Sequence, residues 1–416
     1  MVNTLFYIFL VAWSPFYRSV LDKAIIPEGL AKVAYWAQLQ TIIDFISAPI
    51  SLGLAMGITI LTIRHPIKLH GFLLRGGYVL CALVGIFLAS LTFIMALKLR
   101  NWTGLQFLDI NEIIVTCIIG GLSFVIPFLT GYWIAKKNYL HIIKLILITY
   151  LPVLLILLAK KFFNSGNLIS SILLTQLFSL IVLNYFCYRF LFKQQKISWS
   201  KSKFFIKKLI PFLTAGFSVG LLTPASIFLV RTIIAKEFSW DTVGIVTAIW
   251  RLSDWILACA VGYLNIYFLP MMAQITDQNT FLKRFCRIFI YVLIICSLSF
   301  FILYIFQSQI FSFLYNDTFK VPALILIIFW VAELFRIAAA TFVVGLYVYQ
   351  SSNLIAICEL LSQPLFALIL FNLENFTLIN ISLNYLYCYI VYATACAICF
   401  YYCYKKILFI QGVNKP

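Results

Sequence analysis

The sequence predicts an all-α polytopic membrane protein of about twelve transmembrane helices, and two observations carry that prediction. Of its 416 residues 63% are hydrophobic and 11% are charged, with a mean hydropathy of +1.03, whereas soluble domains hold roughly 25% charged residues. Apolar runs of about 20 residues, enough to cross a bilayer as a helix, recur from end to end. Lipid offers no partners for unpaired backbone groups, so spanning segments must be helices or a closed barrel. The alternating ten-residue pattern of a barrel is absent.

The elements follow from where charges interrupt the apolar runs. A first helix is expected over 3–26, with Pro15 and Arg18 inside it. It has no basic n-region and no cleavage site, and is read as a retained helix. The second, over 33–63, contains "VAYWAQLQTIIDFISAPISLGLAMGITIL", whose one charge is Asp44. Its Gly53 to Gly57 GxxxG is a pattern of close helix packing. Helices over 76–97, 111–135, 142–159 and 168–192 follow, separated by charged loops such as Arg64 to Arg75 and Lys136 to Lys137. The basic loop "KQQKISWSKSKFFIKK", 193–208, falls almost at the midpoint. Beyond it, helices are expected over 209–235, 242–272, 288–306, 321–349, 354–372 and 379–404. The chain thereby divides into an N-terminal six-helix bundle, 1–208, and a C-terminal one, 209–416.

The halves carry signs of duplication. A shift of 210 residues lays 33–45 on 243–255 and matches Val33 to Val243 and Asp44 to Asp254. Each segment is the second helix of its half and carries its acid at the same depth.

The net charge of +18 belongs mainly to alternate loops. One side collects Arg64, Lys68, Arg75, Lys136, Lys137, the 193–208 lysines, Lys283, Arg284, Arg287, Lys405 and Lys406. On the other, Lys23, Lys32, Lys98, Arg100 and Lys236 are diluted by Asp22, Glu28, Asp109, Glu237 and Asp241. The positive-inside rule puts both termini in the cytoplasm. The basic charge then reflects topology and contact with membrane lipids, not nucleic acid. No GxxxxGK[ST], HExxH or GxSxG occurs, so an ATP motor, a zinc protease and a serine hydrolase lack their signatures. The eleven cysteines lie in apolar runs and read as buried thiols. Cys396, Cys399 and Cys403 share a helical face with no histidine nearby, so no metal site is expected, and no cofactor.

Seven ionisable residues fall inside or at the rim of these helices: Arg18, Asp44, Arg231, Arg251, Asp254, Glu333 and Arg336. At about 3 kcal/mol each on insertion scales they must face one another or water. Asp44, Arg251, Asp254, Glu333 and Arg336 share one layer near the midplane, Arg18 lies somewhat outward, and Arg231 lies near the outer rim within snorkelling reach. Gln40, Asp44 and Ser47 share a face of the second helix, as do Thr247, Arg251 and Asp254 of the eighth. The i,i+3 pairs Arg251/Asp254 and Glu333/Arg336 are also spaced to be self-contained ion pairs. Arginine outnumbers acid in this set, although lysine outnumbers arginine 21 to 10 in the chain. Arginine stays charged when desolvated and grips phosphate oxygens bidentately. A cationic cavity suits an anionic substrate, with Arg18, Arg251, Arg336 and Arg231 as binding residues and Gln40, Ser47 and Thr247 as polar lining. Asp44, Asp254 and Glu333 would couple H⁺ or Na⁺ to transport.

With "YWAQLQTIIDFISAPISLGLAMGITIL" as a second helix, the chain resembles the O-antigen and capsule repeat-unit flippases of the Wzx type, in the multidrug/oligosaccharidyl-lipid/polysaccharide (MOP) exporter superfamily. The resemblance covers the whole chain in topology and about thirty residues in motif. It implies a MATE-like fold of two six-helix bundles forming a V around a central cavity. It also implies transfer of undecaprenyl-pyrophosphate-linked oligosaccharide to the outer leaflet of the bacterial inner membrane. A polysaccharide polymerase and a chain-length regulator are the partners implied. Lipid II flippases carry arginine in the first helix, aspartate in the second and Arg-x-x-acid on the eighth, where this chain has Arg18, Asp44 and Arg251 to Asp254. They usually have fourteen helices, and twelve fits a repeat-unit flippase.

Two other readings stand beside it. A MATE-like drug or cation antiporter would share the carboxylates, with a net acidic and aromatic site. A polysaccharide polymerase or membrane glycosyltransferase would need substantial outward loops, and the longest here lies near "QSQIFSFLYNDTFK".

Overall fold

The computed structural model describes residues 13–98, 100, 109–162, 168–192, 199–275, 277–315, 321–349, 351–374 and 376–413. The described residues form helices and contain no strand. The fold is that of an all-α polytopic membrane protein. Nine of its helical segments are long and apolar enough to cross a membrane, among the described residues. The other three expected spans correspond to α1 (Trp13–Ile25), to α2 (Leu30–Pro49) with α3 (Ala55–Arg64), and to α9 (Trp199–Glu237). The part of the first expected helix before Trp13 lies outside the described residues.

Between these come α4 (His70–Lys98), α5 (Ile110–Leu122), α6 (Val125–Ala135), α7 (Tyr139–Phe162) and α8 (Leu168–Phe192). After α9 follow α10 (Trp240–Tyr263), α11 (Leu269–Met272), α12 (Gln278–Ile305), α13 (Gln307–Tyr315), α14 (Ala323–Val348), α15 (Ser352–Leu360), α16 (Gln363–Phe371) and α17 (Leu378–Val413). Local chemistry sets several of these ends. Gly29, at φ 110°, lets a 3₁₀ turn over Ile26–Glu28 reverse into α2. Asp109 and Glu112 form a reciprocal capping box at the start of α5. Ser239 caps α10 through the Thr242 N–H, and Asp277 caps α12 through the Thr280 N–H.

The second and eighth expected helices share an unforeseen feature. Each widens into a π turn, Ile50–Leu54 after α2 and Leu264–Phe268 after α10. Pro49, the last residue of α2, has no N–H to give to the ladder, which accounts for the first break. π turns inside helices are rare and cluster at functional places.

The chain divides into two compact units, one of Ala24–Lys236 and the other of residues up to Lys23 together with Glu237 onward. This differs from a division at 208/209. The expected linker is helical from Trp199 onward, its first six positions lying outside the described residues, and α9 runs unbroken to Glu237 within the first unit. The reason is contact. α9 meets the α2 break so closely that a Cβ on Gly216 would stand 2.7 Å from the Gly53 Cα, and one on Gly220 would stand 2.6 Å from the Pro49 Cα. α1 is held to the second unit by a buried ion pair. In that unit α14 packs along α17, with Phe285, Phe342 and Phe400 clustered between helices, Phe285 and Phe400 stacked at 4.2 Å between centroids and Phe342 tilted against both.

Candidate functional site

In the unit that begins again at Glu237, the charged residues sit on four helices. Thr247, Arg251 and Asp254 follow one another along α10, as their spacing predicts, and Thr247 and Arg251 are buried. Arg251 does not pair with Asp254. Its Nε donates to Asp22 Oδ2 of α1 at 3.0 Å, with the two side chains 4% and 0% exposed. Asp22 was counted among the outward acids although the expected first helix, 3–26, already contained it, and α1 carries it inside. One turn earlier, the Trp255 indole donates to Ser19 Oγ at 2.9 Å and fixes the same helix pair. Arg18 stands half-buried on α1, four residues before Asp22.

Asp254 belongs to a second group. Arg336 of α14 reaches both oxygens of Glu333 at 3.3 Å, so this i,i+3 pair forms as the spacing predicts, and lies 3.9 Å from Asp254 Oδ1. The Tyr385 hydroxyl of α17 donates to Glu333 Oε1 at 2.5 Å. The Arg336 guanidinium sits 5.7 Å over the Tyr389 ring, whose hydroxyl accepts from Gln363 Nε2 at 2.7 Å. One turn further along α17, Tyr392 donates to Glu359 of α15, which also accepts from Ser362. Exposure rises in order along the group: Glu333 is 1% exposed, Arg336 23% and Asp254 33%. A fully buried carboxylate is thereby linked through a guanidinium to one that meets solvent.

The other unit holds a sparser polar set. Asp44 is half-buried on α2, Gln40 is buried one turn before it, and Ser47 is half-buried one turn after. Arg231, expected at the outer rim, is instead buried. Its Nη1 donates to the Ala37 carbonyl at 2.9 Å and to Thr41 Oγ1 at 2.6 Å, joining α9 to α2. The guanidinium is long enough to turn inward, and two acceptors on α2 compensate its burial. Outside the spans, Lys208 Nζ lies 3.3 Å from His65 Nε2. Burial, then Lys208 and His70, hold the His65 imidazole below the usual histidine range, so the ring accepts from the ammonium.

Sequence reasoning missed Asp22 and Glu359 as membrane charges, and Tyr385, Tyr389, Tyr392 and Gln363 as their partners. Both acids lie inside predicted helices, and Asp22 follows Arg18 at i,i+4, a signal available in the sequence. The tyrosines carry no such mark, since nothing in the sequence separates them from the other aromatic residues of an apolar helix. One expectation is corrected: among the described residues, Asp22 and Glu359 join Asp44, Asp254 and Glu333 as acids of these helices, so Arg18, Arg231, Arg251 and Arg336 do not outnumber them. Among the described residues no group of His, Cys, Asp and Glu is placed to hold a metal ion.

This is the fold of the MATE-like transporters. A multidrug resistance MATE family transporter of the MOP superfamily, in an outward-facing conformation, superposes with a TM-score of 0.76 at 11% identity, over 99% of this chain and 96% of that one. The Vibrio cholerae MATE transporter VcmN, in its bent form, gives a TM-score of 0.70 at 15% identity over 98% and 99%. A MOP superfamily transporter from Pyrococcus furiosus, described as having a binding pocket of reversed polarity, gives 0.69 at 11% over 100% and 96%. No family model matches the chain, and no curated protein matches it in sequence.

Proposed function

We propose that the chain is a multi-pass secondary transporter of the bacterial inner membrane that moves undecaprenyl-pyrophosphate-linked oligosaccharide units from the cytoplasmic to the outer leaflet, driven by H⁺ or Na⁺, with both termini cytoplasmic. The observation that carries this reading is Arg336, a guanidinium 23% exposed and held between Glu333 and Asp254. The pair and a diphosphate compete for the same donors. When Glu333 or Asp254 takes up a cation, its hold on Arg336 weakens and the fork is free to grip phosphate oxygens. When the cation leaves, the carboxylates reclaim Arg336 and the diphosphate is released. Tyr385 holds Glu333 in place throughout. Arg18 is a further cation for the head group, and Asp44 is a further acid for the coupling ion. Arg251 and Arg231 act by positioning α1 against α10 and α9 against α2.

A second reading, an antiporter of organic cations with the same fold, is favoured by the acids of these helices, which the arginines do not outnumber among the described residues. Both readings are tested by deleting the gene and analysing undecaprenyl-linked sugars and drug susceptibility together. The flippase reading expects accumulation of complete lipid-linked units, loss of surface polysaccharide, and rescue by the wild-type chain but not by Arg336→Gln. Unchanged lipid-linked pools with raised drug susceptibility would establish the antiporter instead. A polymerase and a chain-length regulator would consume the flipped product.

A further inference from the structure

A cavity lies apart from both charged clusters. In the unit that begins again at Glu237, α12, α14 and α17 enclose a crevice of about 500 Å³, within the range of about 300–1,000 Å³ that takes small ligands. Its walls are apolar: Phe289 and Ser297 mark its ends on α12, Phe335, Ala338 and Phe342 line it from α14, and Ala397 from α17. On α14 these positions repeat at helical spacing on a stripe that excludes Glu333 and Arg336. Phe335 is 36% exposed, and Ile294, Ile295 and Leu298 beside the crevice are each more than half exposed, so this face meets lipid.

The crevice runs along the helices. Phe289 to Ser297 spans eight residues, about 12 Å. At one end it approaches a basic rim. Lys283, Arg284 and Arg287 are exposed on the first turns of α12, and Lys405 and Lys406 are exposed on α17, with Lys405 over the Tyr401 ring. The acid at this end of α12 is Asp277, whose carboxylate caps the helix. A slot for a hydrocarbon chain thus ends beneath an excess of cations at the depth of a head group.

We propose that this crevice binds an acyl chain of an anionic glycerophospholipid from the more basic membrane face, with the lipid phosphate held by Lys283 of α12 and Lys405 of α17, the exposed cations nearest in helical phase to the lining positions. The inference does not depend on what the protein transports. It is tested by native mass spectrometry of the full chain in detergent with equal amounts of phosphatidylglycerol and phosphatidylcholine of the same chain length. Wild type is expected to retain phosphatidylglycerol by about tenfold over phosphatidylcholine, as two or more cations near a phosphate imply. Ala397→Trp, which fills the slot, removes the retained lipid. The exposed double variant Lys283→Gln/Lys405→Gln leaves the fold intact, loses the preference between head groups, and carries the test should the tryptophan prevent folding. Equal retention of the two lipids by wild type, or an unchanged preference in the double variant, would overturn the proposal. So would displacement of the retained lipid by equimolar undecaprenyl phosphate, which would assign the slot to a prenyl chain.

Discussion

Asp22 and Arg251 illustrate how a membrane charge is placed by its partner and not by its own helix. Spacing along α10 offers Asp254 to Arg251, three residues away, and on an isolated helix that pair would form. In the folded unit Asp22 presents a carboxylate to the Nε edge at full burial, leaving Asp254 to Arg336. Breaking a buried pair by removing one member strands the other charge, at a cost of about 3–5 kcal/mol. Asp22→Ala is therefore expected to lower the thermal midpoint in detergent sharply, and Asp22→Leu with Arg251→Met to recover most of the loss. If the double variant were no more stable than the single, the pair would not be the link that secures α1. At this scale the sequence was partly legible. It marked Asp254, Glu333 and Arg336 as neighbours in depth, because hydropathy reports depth. It left Tyr385 and Tyr392 unmarked, because a hydroxyl aimed at a carboxylate looks, in one dimension, like any other tyrosine of an apolar helix.

At the scale of elements, nearly all of the helices were legible. The expected spans agree with the observed helices within a few residues at most ends, since length and apolar composition suffice to define a span. The starts of α9 and α12 were set ten residues late, at 209 and 288, because lysines and arginines were read as loop. Charged residues are good helix formers, and these turns continue the helix beyond the apolar core. The two π turns left no hydropathy signature. The GxxxG at Gly53 to Gly57 did predict close packing, and its partner proves to be α9, through Phe212 and Gly216. An alanine here would gain roughly 0.5–1 kcal/mol in helix propensity and lose more to backbone overlap. Gly216→Val should thus lower the yield of monodisperse protein on size exclusion and its melting temperature. Normal behaviour of that variant would show that α9 can stand off from α2 without cost.

For the whole molecule, composition alone fixed the class, and the midpoint loop suggested halves. What the sequence did not reveal is that each half lends a helix to the other's compact unit: α1 packs with residues beyond Glu237, and α9 with residues before Lys193. Local charge density marks loops, but membership of a unit depends on contacts that no loop records. A chain split at 195/196 therefore yields two fragments, neither of which contains all the helices of one unit. Each is expected to be degraded when expressed alone, and co-expression to restore both to normal levels, as read by immunoblot of membranes. Stable accumulation of the 1–195 fragment by itself would contradict this.

α9 has a mechanical consequence as well. Its 39 residues make a rod of about 58 Å, nearly twice the ~30 Å of hydrocarbon it crosses. The first dozen residues, about 18 Å, expose Lys201, Lys203 and Lys207 on one face and bury Ser202, Phe205 and Leu209 on the other, where the Ser202 carbonyl lies against Gly76 of α4, and they end where Pro211 interrupts the ladder. The far end holds α2 through Arg231. A helix built in this way is tied at two depths: whatever pulls on its outer lysines is felt first at Gly76 of α4 and then, reduced by the flexure at the proline, at the glycine contact with α2.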